Sequence, residues 1–186
     1  MEYPTEFVRE ITLKGEEYQG KKACLRPARS GDIPAIESYI KRMPDDERQL
    51  RYFSSVPKDV LTNPKRLDQL YNRSLDYEGH MVFVVTHGEA VVGVAHAYGP
   101  CPEEDGHFEV SYSRDVQYRG AGVGRALMDG LILWGDKAGI QGFFADTLVI
   151  NLRMRRLFER FGFGIIRPHP DGDHTLIRFQ YSMNKK

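Results

Sequence analysis

The chain has 186 residues, of one-domain size and long enough to bury a proper core, and no internal repeat divides it. Lys plus Arg total 26 and Asp plus Glu total 26, so no bulk basic charge argues for nucleic acid or an anionic membrane as a partner. No apolar run approaches the ~20 residues of a membrane span, and the opening Met1-Glu2-Tyr3-Pro4-Thr5-Glu6 has neither the cationic nor the apolar region of a secretory signal.

Phe7 to Leu13 alternates moderately, Lys14 to Gly20 is a polar connection, and Ala23 to Pro27 reads as a second strand. Together they predict an N-terminal hairpin within about residues 5–28. Ser30-Gly31-Asp32 then caps a helix with Pro34 near its first turn and Ile33, Ile36, Ile40 and Met43 on one face, stopped by Pro44. Asp45 to Phe53 opens a second short helix, and Pro57 to Leu75 holds one or two more. This block, with Arg48, Arg51, Tyr52 and Phe53, is longer than a crossover over a sheet requires. Met81 to Thr86 and Ala90 to Tyr98 form two strands joined by a hairpin turn at His87-Gly88-Glu89. Pro100 to Gly106 is an acidic loop before a strand from His107 to Arg114.

Cys24 and Cys101 lie far apart, without metal-ligand or redox spacing, which points to reduced thiols in a cytoplasmic protein and to no metal centre. Beyond the glycine-rich segment that follows Arg114, Gly142 to Val149 reads as a buried strand. Asn151 opens a helix with Met154, Leu157, Phe158 and Phe161 on its apolar face, stopped by Gly162. Gly164 to Arg167 and Thr175 to Met183 close the chain as strands, with a frayed tail at Asn184-Lys185-Lys186. The order predicts one α/β domain over residues 1–186: a mixed, twisted sheet flanked by helices on both faces.

The most informative stretch is Tyr118-Arg119-Gly120-Ala121-Gly122-Val123-Gly124-Arg125-Ala126-Leu127. It joins the strand ending at Arg114 to an amphipathic helix carrying Val123, Leu127, Leu131 and Trp134. Three glycines at alternate positions let the backbone turn and bring unhindered N–H groups to the first helical turn. Those unpaired donors and the positive end of the helix dipole suit a phosphate, with Arg119 and Arg125 as added cations. The dinucleotide fingerprint fails because its third glycine position is Arg125, and no Gly-Lys-Ser/Thr completes a nucleotide P-loop. A tight strand-to-helix turn without a ligand is the plainer alternative.

The wording of this stretch resembles the acetyl-CoA pyrophosphate loop of the GNAT N-acetyltransferase superfamily, R/Q-x-x-G-x-G/A, with Arg119, Gly122 and Gly124 in its fixed places. Asn151-Leu152-Arg153-Met154 and Leu157 to Phe163 are similar to the second GNAT signature, a helix ending in Gly-Phe. Leu25-Arg26-Pro27-Ala28-Arg29, Asp32, Glu47 to Phe53, Asp76-Tyr77 and Pro170 to Asp173 look like the acetyltransferase domain of bacterial Pat-type protein lysine acetyltransferases. The resemblance implies the acyl-CoA N-acyltransferase fold and an acetyltransferase (EC 2.3.1) that moves the acetyl group of acetyl-CoA to a primary amine, a protein lysine first among them. It places the coenzyme against Tyr112, Ser113, Arg114, Arg119, Gly120, Ala121, Gly122, Val123, Gly124, Arg125, Asn151 and Phe158. A homodimer is one assembly such a domain could form. A small-amine or polyamine acetyltransferase, and an acyl-CoA-binding module that senses rather than catalyses, are the alternatives.

Acyl transfer to an amine needs a neutral amine, and at a lysine pKa of ~10.4 almost every amine is protonated at pH 7. A base is therefore useful. On the strand His107 to Arg114, Phe108, Val110 and Tyr112 alternate with His107, Glu109, Ser111 and Ser113, so one face is polar and suited to a wet cleft. Glu109 also stands where the Pat-like family carries its catalytic glutamate. An acid on a solvated sheet face is the alternative, and His107 and His96 are lesser candidates. Asn151 serves as a helix cap, a coenzyme contact, or both. Many GNAT enzymes carry a tyrosine general acid where this chain has Phe158, which cannot donate a proton. A CoA thiol pKa of ~8.5 allows departure as thiolate, leaving Phe158 as core or as a wall against the coenzyme. Glu103-Glu104-Asp105 could attract a cationic acceptor or be a solvated loop.

Overall fold

The computed structural model describes residues 2–104, 106–166 and 171–183. Eight strands form one sheet: β1 (Arg9–Thr12), β2 (Lys22–Pro27), β3 (His80–His87), β4 (Ala90–Cys101), β5 (His107–Arg114), β6 (Gly142–Leu148), β7 (Gly164–Ile166) and β8 (Leu176–Ser182). Their order is β1-β2-β3-β4-β5-β6-β8-β7. Every neighbouring pair is antiparallel except β5 and β6, which makes the sheet mixed.

The helices are α1 (Ile33–Arg42), α2 (Asp45–Tyr52), α3 (Lys58–Leu61), α4 (Pro64–Asp68), α5 (Val123–Ala138) and α6 (Leu152–Arg160). Side chains alternate across a strand, so central β3 reads as a continuous apolar run covered twice. Met81, Phe83 and Val85 join Val123, Leu127, Leu131 and Trp134 of α5 and Phe158 of α6 in one core. Val82 and Val84 join Ile36, Tyr39 and Ile40 of α1, Leu61 of α3 and Leu67 of α4 in the other. Helices thus cover both faces, as the element order predicts. Gly93 on β4 lets α5 descend this closely, since a Cβ there would stand 2.6 Å from Val123 Cγ1.

Several local expectations shift. β4 continues past Tyr98 to Cys101, and the turn into β5 is a single 3₁₀ turn at Pro102–Glu104. The third helical region divides into α3, α4 and a π-helical turn at Gln69–Arg73. Asp32 does not cap α1. Its buried carboxylate accepts from Arg26 Nη1 and Nη2 at 2.7 and 2.6 Å and from the Arg29 N–H at 2.9 Å. A bidentate guanidinium is the stronger partner, so it draws the carboxylate away from the helix amides. Arg167, Pro168 to Pro170, Asp105 and the Asn184-Lys185-Lys186 tail lie outside the described residues.

The Arg26–Asp32 pair ties β2 to the start of α1. Burial alone would raise the Asp32 pKa, but the hydrogen bonds from Arg26 and the Arg29 N–H outweigh it and hold the pKa below the ordinary value. Such a group stabilises the fold above its unfolded pKa of ~3.9 and loses that contribution as pH falls through its native value. Asp32→Ala is expected to cost about 3 kcal/mol at neutral pH by leaving Arg26 unpaired. Urea unfolding should show that deficit shrinking as pH falls below about 4.

Candidate active site

The site is built on a break in the sheet. β5 reaches Arg114 and β6 reaches Leu148, yet they pair only at Phe108↔Phe143 and Glu109↔Phe144. Past Glu109 the two strands part, and the β5 backbone facing β6 has no strand partner. On its other edge β5 stays laddered to β4 through Ala95↔Tyr112, Val94↔Ser113 and Gly93↔Arg114. A cleft of about 440 Å³ occupies this end of the molecule. It is lined by Tyr112, Ser113 and Arg114, the glycine loop with the first turn of α5, and Asn151, Arg153, Met154, Arg156, Leu157 and Arg160 around α6.

The loop has the geometry its sequence predicts. Gly122, the residue before α5, has φ +89°, a left-handed conformation that only glycine adopts without strain. Among the described residues the N–H groups of Gly122, Val123 and Gly124 have no acceptor, and they open the first turn of a 16-residue helix. The loop is held from behind. Lys14 N–H donates to the Ala121 carbonyl at 3.1 Å, and the Tyr18 hydroxyl donates to the Gln117 carbonyl at 3.1 Å while its ring stacks on Tyr118 at 4.7 Å.

Seven arginines line this cleft: Arg51, Arg114, Arg119, Arg125, Arg153, Arg156 and Arg160. Among the described residues Glu47 of α2 is the one acid lining it, and it takes Arg119 at 2.8 Å and Arg153 at 3.3 Å. A chain neutral overall therefore concentrates positive charge at one helix entrance. Unpaired amides plus excess guanidinium fit a polyanionic ligand such as the phosphates of coenzyme A.

Two expected ligand residues do not belong to this wall. Phe158 is 2% exposed and packs on Tyr112, Phe163 and Phe179 with centroids 5.9, 5.0 and 5.1 Å apart. The apolar face of α6 points at that aromatic cluster, so Phe158 is core. Ala121 is buried as well, its N–H donating to the Tyr118 carbonyl and its carbonyl taken by Lys14. It shapes the loop and offers the cleft neither backbone group. Asn151 does cap α6, accepting from Met154 N–H at 3.3 Å, and also lines the cleft. The Tyr112 hydroxyl beside Phe158 is buried without a hydrogen-bond partner among the described residues, and burial raises its pKa so that it stays protonated.

A second cleft, of about 530 Å³, lies against the next part of β5. Glu109 and Ser111 form its floor with Tyr98 and His96 of β4 and His80 of β3, and Tyr71 and Arg66 come from the helical block. The polar face of β5 is thus divided between the two clefts, with Ser113 in the first, where its Oγ accepts from the Tyr39 hydroxyl at 2.7 Å. Glu109 is exposed to its cleft and its carboxylate makes no hydrogen bond or ion pair among the described residues. Surrounding protein desolvates it, the main cause that raises its pKa. The Asp146 charge adds to the rise, and Arg51 and Arg178 oppose it.

His107 is absent from both clefts. It is buried, with Nδ1 2.8 Å from the Glu104 carbonyl and Nε2 3.2 Å from Gln180 Nε2, which makes it structural. His96 stands in the second cleft beneath Tyr71, whose hydroxyl is 3.1 Å from Nε2, and beside His80 at 3.3 Å. Burial drives the His96 pKa well down, and nearby Arg51, His80 and Arg66 add to this, so the ring is neutral. The acidic loop is not a free rim either: Glu104 pairs with Arg178, which also holds Asp146 at 2.6 Å. Glu47, Arg51, Tyr71 and His80 escaped the sequence reading as site residues, whereas His96 is a lesser candidate there. The one available sign was the surplus length of the helical block that carries Glu47, Arg51 and Tyr71.

Comparison with known proteins agrees with this architecture. The model of the acetyltransferase (GNAT) family matches residues 46–163. Acetyltransferase Pat of Mycolicibacterium smegmatis is 32% identical over 152 residues, covering 77% of this chain and 41% of that protein, so the chain spans less than half of that relative's length. Among solved structures, the GNAT domain of S. lividans PAT superposes with a TM-score of 0.85 at 19% identity, covering 98% of this chain and 100% of that one. The ribosomal α-N-protein acetyltransferase RimL in complex with coenzyme A superposes with a TM-score of 0.63 at 14% identity, covering 87% of this chain and 94% of that one.

The loop's role can be tested directly. A β-branched residue at the left-handed Gly122 would carry strain on the order of 1–3 kcal/mol and turn the amides from the cleft. Gly122→Val is expected to weaken coenzyme A binding at least tenfold in titration calorimetry, with the circular dichroism of the fold kept. Wild-type affinity would remove the loop from the site.

Proposed function

This chain belongs to the acetyltransferase (GNAT) family, and we propose that it transfers the acetyl group of acetyl-CoA to a primary amine, a protein lysine side chain, with Glu109 as general base. Acetyl-CoA is the acyl donor and a substrate, and its thioester supplies the activated carbonyl. The diphosphate is assigned to the Gly122, Val123 and Gly124 amides with Arg119 and Arg125 alongside, and the pantetheine arm to the open edge of β5 at Tyr112 to Arg114 and to Asn151. The RimL complex with coenzyme A supports a coenzyme site in this fold, and that protein's action on a ribosomal protein supports a protein acceptor.

The observation that carries the reading is Glu109: a carboxylate without a partner among the described residues, on the strand where the sheet opens, three positions before Tyr112 of the arginine-lined cleft. Desolvation raises its pKa and makes it a stronger base than a free carboxylate. It accepts the proton of the attacking ammonium or amine directly or through one water. With Phe158 in the core, the leaving sulfur departs as thiolate, which its pKa of ~8.5 permits.

Glu109→Gln is expected to lower kcat at least a hundredfold with acetyl-CoA affinity nearly unchanged, and wild-type turnover would reject Glu109 as base. The sign of its stability effect follows from the raised pKa. A carboxylate whose native pKa exceeds its unfolded one stabilises the fold only below the unfolded value and costs stability as pH rises through the native one. Glu109→Gln should therefore melt at or above the wild-type temperature at pH 7, and the gain should vanish near pH 4. Mass spectrometry of products from lysine peptides, intact proteins and polyamines checks the acceptor. Modification of polyamines alone would replace the lysine assignment.

A further inference from the structure

Among the described residues that line the two clefts, Arg51 alone is common to both. It comes from the last turn of α2, and its Nη2 donates to Ser111 Oγ at 2.7 Å. Ser111 stands two residues from Glu109 on the same face of β5, so the guanidinium sits at the seam between the arginine-lined cleft and the carboxylate. Its plane lies by the Tyr52 ring, 5.0 Å from the centroid, which limits its orientations.

Several other fixed cations are matched with acids. Arg119 and Arg153 share Glu47, Arg178 holds Asp146 and Glu104, Arg48 takes Asp45, and Arg26 takes Asp32. Arg51 has no carboxylate partner among the described residues. A serine oxygen is a neutral acceptor, so one of five N–H donors is spent and the charge is uncompensated. A half-buried cation held in place, with donors to spare, at the seam of two substrate clefts is an electrostatic device aimed at charge that develops there.

We propose that Arg51 is a catalytic residue that hydrogen-bonds the acyl carbonyl oxygen and stabilises the oxyanion formed when the amine attacks. The inference rests on the acetyl-transfer reading above. The amine lone pair forms the C–N bond, and the carbonyl π pair moves to oxygen, facing the guanidinium. Glu109 takes the amine proton. The oxyanion pair then returns to carbon as the C–S bond breaks, and that bond's electrons leave on the coenzyme sulfur as thiolate, which takes a proton from solvent.

The test uses the full chain and separates this role from a staple between α2 and β5. Arg51→Gln keeps a donor for Ser111 and loses the charge. It is expected to lower kcat about 10²–10³-fold, with acetyl-CoA affinity by calorimetry within about threefold and the amine KM little changed. Arg51→Lys should recover roughly tenfold of that loss, because a point charge replaces the planar fork.

The pH profile supplies an independent readout. Glu109 is faced by Arg51 from α2, Tyr98 and neutral His96 from β4, His80 from β3, Asp146 from β6, Arg178 from β8, and Arg66 from α4 in the same cleft. Removing the Arg51 cation should therefore move the acidic limb of kcat to higher pH. Turnover of Arg51→Gln within threefold of wild type, or a loss seen wholly as weaker acetyl-CoA binding, would overturn the proposal. If the Gln variant does not fold, Arg51→Met must show the same kcat-only loss, and a retained kcat there would equally overturn it. Failure of the base assignment is distinct: Glu109→Gln would then stay active while Arg51→Gln does not.

Discussion

The structure depends on the point where β5 and β6 stop pairing. Two parallel strands leave a shared ladder after Glu109, and a sheet otherwise continuous from β1 to β7 opens at its centre. Unpaired backbone groups are normally costly inside a protein. Here they stand at a cleft wall, between the first turn of α5 and the entry of α6, where a long polar ligand could take up their hydrogen bonds. Each feature around the gap keeps it open. The glycine loop is braced by Lys14 and Tyr18, α6 is anchored by the aromatic cluster at Phe158, and Asn151 caps the helix beside the opening.

Charge is arranged by position rather than amount. The chain is formally neutral, yet seven arginines gather at one cleft with one glutamate among them. The reverse holds a few residues along β5, where Glu109 has no partner among the described residues while Asp146 and Glu104 share the single cation Arg178 beside it. Closely packed walls make local charges felt more strongly than they would be in water. A polyanion is thus favoured on one side of the seam and a basic carboxylate is maintained on the other. His96 and His80, held neutral by burial, add polarity to the second cleft without adding charge.

The parts read correctly from sequence share a local cause. The strand His107 to Arg114, the Gly120–Gly124 turn and the helix from Val123 follow from periodicity and backbone chemistry within a dozen residues. The apolar run from Met81 to Val85 reads only as a strand, and its double burial comes with the helices on both faces. The misreadings came from competition at a distance. Asp32 looked like a helix cap until Arg26, on another element, supplied a stronger partner. His107, only a lesser candidate base, shares the parity of Glu109, and its ring is held by Gln180 and the Glu104 carbonyl, a structural role. Phe158 matched a coenzyme position by wording and lies instead among aromatic rings drawn from β5, β8 and the segment after α6.

By itself the sequence determined most of the elements, the glycine turn into α5 and the placement of a carboxylate on the polar face of the preceding strand, because each rests on spacing along one short segment. Only the tertiary structure decided where the strands separate, which arginines remain without an acid, and that α2 sets Arg51 across both clefts. Those outcomes depend on which distant groups make the more favourable partners once the chain is packed, and no local pattern encodes that.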